Sequence, residues 1–232
     1  MQTLQANANT SNKKIIIGIL LLLGLFILSI FSSLALKPLG ISLTYIFFVS
    51  RLCIWGSVAL MIWYAHSVEK TKLLLWQETK HNFIFYVVAV ISIFLILAVG
   101  SNIITYLLSH FFHFSNDSAK LNAMLIIFKE NKWLLYFTVI TAGITEELLF
   151  RGYLMPRIEQ LTKSSFWAII ISSLLFGLSH WGFGTVMQVI GPVFIGIIFA
   201  IFYYKYRNLK TLMIFHALWD LVQLLVAIHM LH

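Results

Sequence analysis

The stretch Thr145-Glu146-Glu147-Leu148-Leu149-Phe150-Arg151 sets two adjacent carboxylates and an arginine at the end of an apolar run that begins at Trp133. A run of that length and character is a membrane span, and a charge inside a bilayer is costly enough to be kept mainly where it works. The chain has only 8 acidic residues in 232, so two side by side in a span are a strong pointer. On a helix, Glu147 and Arg151 stand four apart on one face with the glutamate first, the favourable order for pairing. Glu146 is turned roughly a hundred degrees away. One carboxylate is then held by the arginine, and the other is available for chemistry.

Composition widens this into a fold class. Hydrophobic residues make up 60% of the chain and charged ones 10%, with a mean hydropathy of +0.92. Several membrane spans require that balance and a soluble domain of this length does not. The fold expected is all-α, a polytopic bundle of about seven transmembrane helices; the resemblance given below implies a catalytic core in the last four. The 16 Lys and Arg fall in short clusters between apolar runs, as in cytoplasmic loops. No basic patch with interleaved aromatics marks a nucleic-acid surface. The single cysteine, Cys53, excludes an internal disulfide and a cysteine-based zinc site, and reads as a small buried hydrophobe.

The chain divides at about residue 132. Met1–Asn12 is polar and reads as an unstructured tail. Spans are expected over Ile15–Leu36, Ile41–Ala65 and Phe83–Leu108. The first could be taken for a signal peptide with Ser33-Leu34-Ala35 as its cleavage site, but it is longer than a signal core and reads as an uncleaved span. Arg51, near the middle of the second, reads as pairing with a neighbouring helix or snorkelling. Ser109–Lys132 is mixed, with His110, His113, Asp117 and Lys120 in a polar patch read as loop. Leu121–Phe128, too short to span, lies at the interface or re-enters.

Residues 133–232 supply four more spans: Trp133 to about Leu154, ended by Pro156, Ser165–Trp181, Val186–Tyr204 and Thr211–Ile228. With the N-terminus inside, Lys13, Lys14, Lys70, Lys72, Lys80, Arg157, Lys163, Lys205, Arg207 and Lys210 fall on the cytoplasmic side. Only Lys37, Lys120, Lys129 and Lys132 fall outside, which fits the positive-inside rule. The expected location is a multi-pass position in a membrane, the bacterial cytoplasmic membrane by the resemblance below.

These last spans hold further polar residues. His180 ends Phe176-Gly177-Leu178-Ser179-His180, and His216 and Asp220 stand four apart in His216-Ala217-Leu218-Trp219-Asp220, on one helix face. Three helices thus offer Glu, His and a His–Asp pair to a common interior. Single polar residues often serve as glue between helices, but five ionisable groups together read as a functional site.

Glu146-Glu147-x-x-x-Arg151, Phe176-x-x-x-His180 and His216-x-x-x-Asp220 resemble, in order, the three motifs of the CAAX protease and bacteriocin-processing (CPBP, or Abi) membrane proteases, the family of the eukaryotic CAAX prenyl protease 2. The resemblance covers roughly residues 133–225, and Asp220 falls where the family has Asn or Asp. It implies an intramembrane endopeptidase in which Glu146 and His180 activate water. It also implies that His216 and Asp220 serve the oxyanion or the substrate, and that Glu147 with Arg151 fixes the helix end. Zn2+ held by Glu146, His180 and His216 is compatible with it, as is a metal-free glutamate mechanism, since no His-Glu-x-x-His is present. Membrane lipids and a peptide or protein substrate, conceivably lipidated, are the implied partners; nucleic acid is not, and oligomeric state is open. A non-catalytic binding or immunity protein on the same scaffold is one alternative, and a proton-coupled transporter another.

One feature of the spacing is awkward. At ~1.5 Å per residue, Glu146 and His216 lie roughly 10 Å from the cytoplasmic ends of their spans, and His180 roughly 20 Å from Ser165. They meet only if the His180 helix starts deeper in the cytosol, tilts, or a boundary is misplaced.

Overall fold

Backbone polar groups in lipid must be satisfied within the protein, which leaves helices as the economical answer for apolar runs of this length. The computed structural model describes residues 11–36, 40–114 and 118–231, and no strand occurs among them. In order the helices are α1 (Asn12–Leu36), α2 (Leu43–Tyr64), α3 (Phe83–Phe112), α4 (Ala119–Glu130), α5 (Lys132–Glu147), α6 (Met155–Thr162), α7 (Ser165–Ser179), α8 (Met187–Tyr206) and α9 (Leu209–Met230). Seven helical stretches among the described residues are long and apolar enough to cross a membrane, so the protein is an all-α polytopic bundle. The polar tail lies outside the described residues except for its last two, as do Lys37 and Asp117.

Helix starts follow the side chains that precede them. Asn82 accepts a hydrogen bond from the Phe85 amide at 2.8 Å and Asn208 from the Thr211 amide at 3.0 Å. Ser118 caps α4 in the same way through the Leu121 amide. Each satisfies an amide that the first turn leaves without an intrahelical acceptor.

The fourth span departs from expectation. Pro156 does not end it: α5 passes through a π-helical segment, Leu148–Leu154, into α6, and the continuous unit runs over Lys132–Thr162. Pro156 stands in the first turn of the renewed α register, where its missing amide hydrogen is tolerated. The counts for Glu146 and His180 now agree, while His216 stays ~10 Å from Leu209, the start of α9. Glu146 is ~24 Å from Thr162 along this unit and His180 ~22 Å from Ser165 along α7. The start of α7 stays at Ser165; the misplaced boundary was that of the helix before it.

Two other expectations change. Leu121–Phe128 belongs to the 12-residue helix α4, whose Ser118 and Lys120 side chains donate to the carbonyls of Phe183 at 2.6 Å and Gly182 at 2.7 Å. Met124, Leu125 and Phe128 pack with Leu134, Leu135 and Ile228 in a small separate core, so α4 closes one end of α5 and α9. Cys53 is exposed on α2 rather than buried; on a lipid-facing helix an apolar thiol needs no burial.

The main core joins the two halves of the chain. Leu22, Met61, Ile93 and Leu97 from α1–α3 share it with Leu149, Tyr153, Phe176, Phe199 and Phe215. Polar ties reinforce the join. Arg157, fully buried, reaches Glu69 through Nε at 2.9 and 3.1 Å and through Nη2, while Nη1 donates to the Leu73 and Tyr153 carbonyls. Glu78 accepts from the Leu209 amide at 2.7 Å and the Tyr203 hydroxyl at 2.9 Å. A carboxylate at that helix start also meets the positive end of the α9 dipole.

Between α5 and α9 the backbones nearly touch. A Cβ placed at Gly143 would lie 2.7 Å from the Met213 carbonyl oxygen and 2.8 Å from the Ala217 nitrogen. This small-residue contact brings the glutamates of one helix against the histidine of the other.

Candidate active site

Glu146 and Glu147 stand at the last turn of α5, where α packing gives way to the π-helical segment. The wider turn carries Arg151 back under Glu147, and Arg151 Nη1 donates to Glu147 Oε1 at 2.9 Å. The guanidinium is completed by the Gly196 carbonyl at 3.2 Å and by the ring faces of Phe176 and Phe199, at 4.4 and 5.3 Å. Arginine suits such a place because its charge is delocalised and stacks on aromatic faces.

Glu147 does more than hold the helix end. Its Oε1 also lies 2.8 Å from Nδ1 of the buried His216. An ionised carboxylate only accepts, so the imidazole donates from Nδ1 and its Nε2 edge faces the interior. That edge lies 3.5 Å from Asp220 Oδ2 and 3.9 Å from Glu146 Oε2. The edges of the Phe176 and Phe199 rings meet the imidazole at 6.0 and 5.4 Å between centroids, which fixes its plane.

Accessibility divides these acids. The Glu147 side chain is sealed at 0%, whereas Glu146 keeps 18% and Asp220 31% of its surface. Glu146 Oε2 and Glu147 Oε2 are both shielded and without a hydrogen-bond partner among the described residues, but only Glu146 keeps part of its side chain open, and only Glu147 is already held by Arg151 and His216. A buried carboxylate oxygen without a partner is rare and points to function.

Of the six residues expected from sequence, five are in direct contact: Glu146, Glu147, Arg151, His216 and Asp220. His180 is nearby but turned to its own helix. Its Nδ1 lies 2.9 Å from the Phe176 carbonyl oxygen, and its ring packs against Phe176 at 5.0 Å, with His216 on the same phenylalanine. Donation from Nδ1 to that carbonyl leaves Nε2 as a free acceptor, and His180 acts electrostatically on Asp220. As the side chains stand, no three His, Cys, Asp or Glu groups among the described residues are arranged to hold a metal ion.

Two contributors were not anticipated as site residues. Phe199 in α8 carries no signal beyond being apolar. Arg51, read as a pairing or snorkelling residue, acts electrostatically on both Glu146 and Asp220, while its Nε meets Ser50 Oγ at 3.3 Å. Trp55, one turn on, donates to Thr141 Oγ1 at 3.1 Å and registers α2 against α5. A mid-span arginine without an acidic neighbour in its own helix was the available signal.

Residues 128–222 match the family model described as Type II CAAX prenyl endopeptidase Rce1-like. No curated protein and no solved structure matches the chain.

Proposed function

We propose that the chain, whose residues 128–222 match the type II CAAX prenyl endopeptidase model, is an intramembrane endopeptidase of the CPBP group using Glu146 as general base. The observation that carries this is that Glu146, the partly open member of the pair, sets an unpartnered Oε2 3.9 Å from the Nε2 edge of an imidazole already held by the sealed Glu147. That gap is too wide for a direct hydrogen bond and suits a group bridging the two.

Glu146 takes a proton from water as its oxygen adds to the peptide carbonyl, and the carbonyl becomes an oxyanion. With Nδ1–H given to Glu147, His216 donates to that oxyanion from Nε2 when it carries both protons. On collapse the C–N bond breaks and protonated Glu146 returns its proton to the departing amine. His180 Nε2 is the further acceptor for the attacking water. Asp220 cannot donate to an oxyanion while ionised; it orients His216. Arg51 supplies positive charge to the two partly exposed acids, Glu146 and Asp220.

A metal-dependent variant would use Glu146, His180 and His216, the donor set of a His2Glu zinc site. When bound, zinc would acidify water and polarise the carbonyl. His180 would have to turn its Nε2 toward the other two.

Substrates are membrane-associated proteins or peptides, of CAAX or bacteriocin type, and lipidation of the substrate is compatible with a site set among membrane-spanning helices. The clustered basic residues support an N-terminus on the cytoplasmic side, and the short loops support a bacterial membrane. Terminal-peptide proteomics on membranes carrying wild type or Glu146→Gln at equal abundance tests the reading. Termini present only with wild type are expected. Identical profiles, with a knockout phenotype rescued by both proteins, would replace it with a binding or immunity role.

A further inference from the structure

Hydrolysis of a membrane segment raises a difficulty that the acids and histidines do not solve. A peptide must be extended at the bond to be cut, and unwinding it frees amides and carbonyls that lipid cannot satisfy. The protein must therefore offer donors and acceptors along the substrate main chain as well as at the scissile bond.

A cavity of about 190 Å³ between α3 and α9 has that chemistry. Ser101, Asn102 and Thr105 of α3 line it opposite Trp219 and Gln223 of α9. Both helices are apolar spans, and the hydroxyls and carboxamides they carry are gathered on the sides that face each other across this opening. Asn102 gives its Nδ2 to the Ala98 carbonyl at 2.7 Å and keeps its side-chain oxygen as an acceptor. The exposed Gln223 side chain opens onto the same space from α9.

Its place on α9 ties the cavity to the site. Gln223 follows His216 by seven residues, which at ~100° and ~1.5 Å per residue puts it within ~20° of the same bearing and ~10 Å further along. It also follows Asp220 by three, the neighbouring position on a helix face. An extended chain rises ~3.3 Å per residue, so ~10 Å corresponds to about three residues of substrate.

We infer that the α3–α9 cavity is a main-chain subsite, in which Asn102 and Gln223 hold the backbone of an extended substrate about three residues from the scissile bond. The inference rests on the endopeptidase reading above. Each carboxamide offers both a donor and an acceptor, so an extended backbone can be gripped without regard to its side chains. Recognition here is of extended conformation, not of a residue type.

The test uses the full-length protein in nanodiscs with a mixed library of apolar peptides, products being read by mass spectrometry. The best-cleaved member is then shortened one residue at a time from each end. Wild type should show a step in KM when the chain no longer reaches the third position on one side. Gln223→Leu and Asn102→Leu should each raise KM roughly 3- to 10-fold on the full peptide with kcat unchanged, and should abolish the step. Gln223→Asn, retaining a carboxamide, should fall between. If a leucine variant aggregates, Ser101→Ala and Thr105→Val are read in the same way.

Leucine variants that match wild type on every length overturn the subsite and leave the protease reading standing. So does a Gln223→Leu protein that changes oligomeric state without changing KM, because the amides then join two copies of the chain. If wild type cleaves no peptide that Glu146→Gln spares, the endopeptidase reading fails and the subsite falls with it.

Discussion

Gly143→Ala tests how closely packing and chemistry are joined. The added methyl would meet the Met213 carbonyl oxygen at 2.7 Å, the Ala217 nitrogen at 2.8 Å and the Ala217 Cβ at 2.9 Å. Two of those atoms are backbone, so rotamer changes give no relief. Restoring the 2.7 Å contact to an ordinary 3.4 Å moves α9 away from α5 by about 0.7 Å, because packed interiors have no slack to absorb it. The same movement lengthens the 2.8 Å bond between His216 and Glu147 to about 3.5 Å, beyond hydrogen-bonding range. Overpacking of this kind costs about 1–3 kcal/mol, and misplacing a catalytic group by about this distance reduces turnover about 10- to 100-fold. The assay is turnover of a wild-type-specific substrate at matched abundance, beside a melting curve in detergent. Gly24→Ala, with nothing within 4 Å of the added methyl, is the control and should retain full activity. Ala217→Gly in the Gly143→Ala background removes one of the three clashes and should restore activity only in part. Gly143→Ala with wild-type turnover and melting temperature would refute the close approach, and with it the account of how His216 is positioned.

Glu146→Gln should lower cleavage by about 100- to 10,000-fold, the usual contribution of a general base, with little loss of stability because Oε2 has no partner to lose. Unfolding of the variant at wild-type expression levels would contradict that reading. Arg157→Met should destabilise the protein by about 3–5 kcal/mol by leaving a buried carboxylate without its cation. Adding Glu69→Leu should recover most of the loss in a melting experiment, and no recovery would show that the pair is not the cause. Prolonged dialysis against a chelator should leave cleavage intact. Loss restored by Zn2+, with metal bound in elemental analysis, would instead assign Glu146, His180 and His216 as ligands.

The spans and the acidic pair with its histidines were legible in sequence for different reasons. Length and hydropathy report whether a run can cross a bilayer, and they do so well for α3 and α8. They do not report where a helix leaves the membrane. Pro156 looked like an end because proline interrupts a regular α-helix, but the π-helical turn before it resets the register and the helix goes on. That continuation sets Glu146 and His180 at matching distances along their helices. The Glu147–Arg151 pair was readable from spacing, whereas the Glu147–His216 bond depends on the distance between two helices, which Gly143 sets and hydropathy does not record. Arg51 and Phe199 join the site from elements whose approach is tertiary, and no local pattern marks them. Cys53 was misread because in a bilayer the outside of a helix is as apolar as the core.

Glu69 and Glu78 have a bearing on how this protein can be dissected. Each reaches from the first half of the chain to meet a need in the second, one neutralising Arg157 and the other closing the first turn of α9. Expressed without residues 1–82, the segment that matches the family model would carry an unmatched cation in its interior and a Leu209 amide without its acceptor at the start of the helix that bears His216. A minimal protease cut at the boundaries of the match should be degraded rather than active, and supplying the missing half as a separate chain should rescue it. The matched segment holds the candidate site, and two of its buried polar groups are met from outside it.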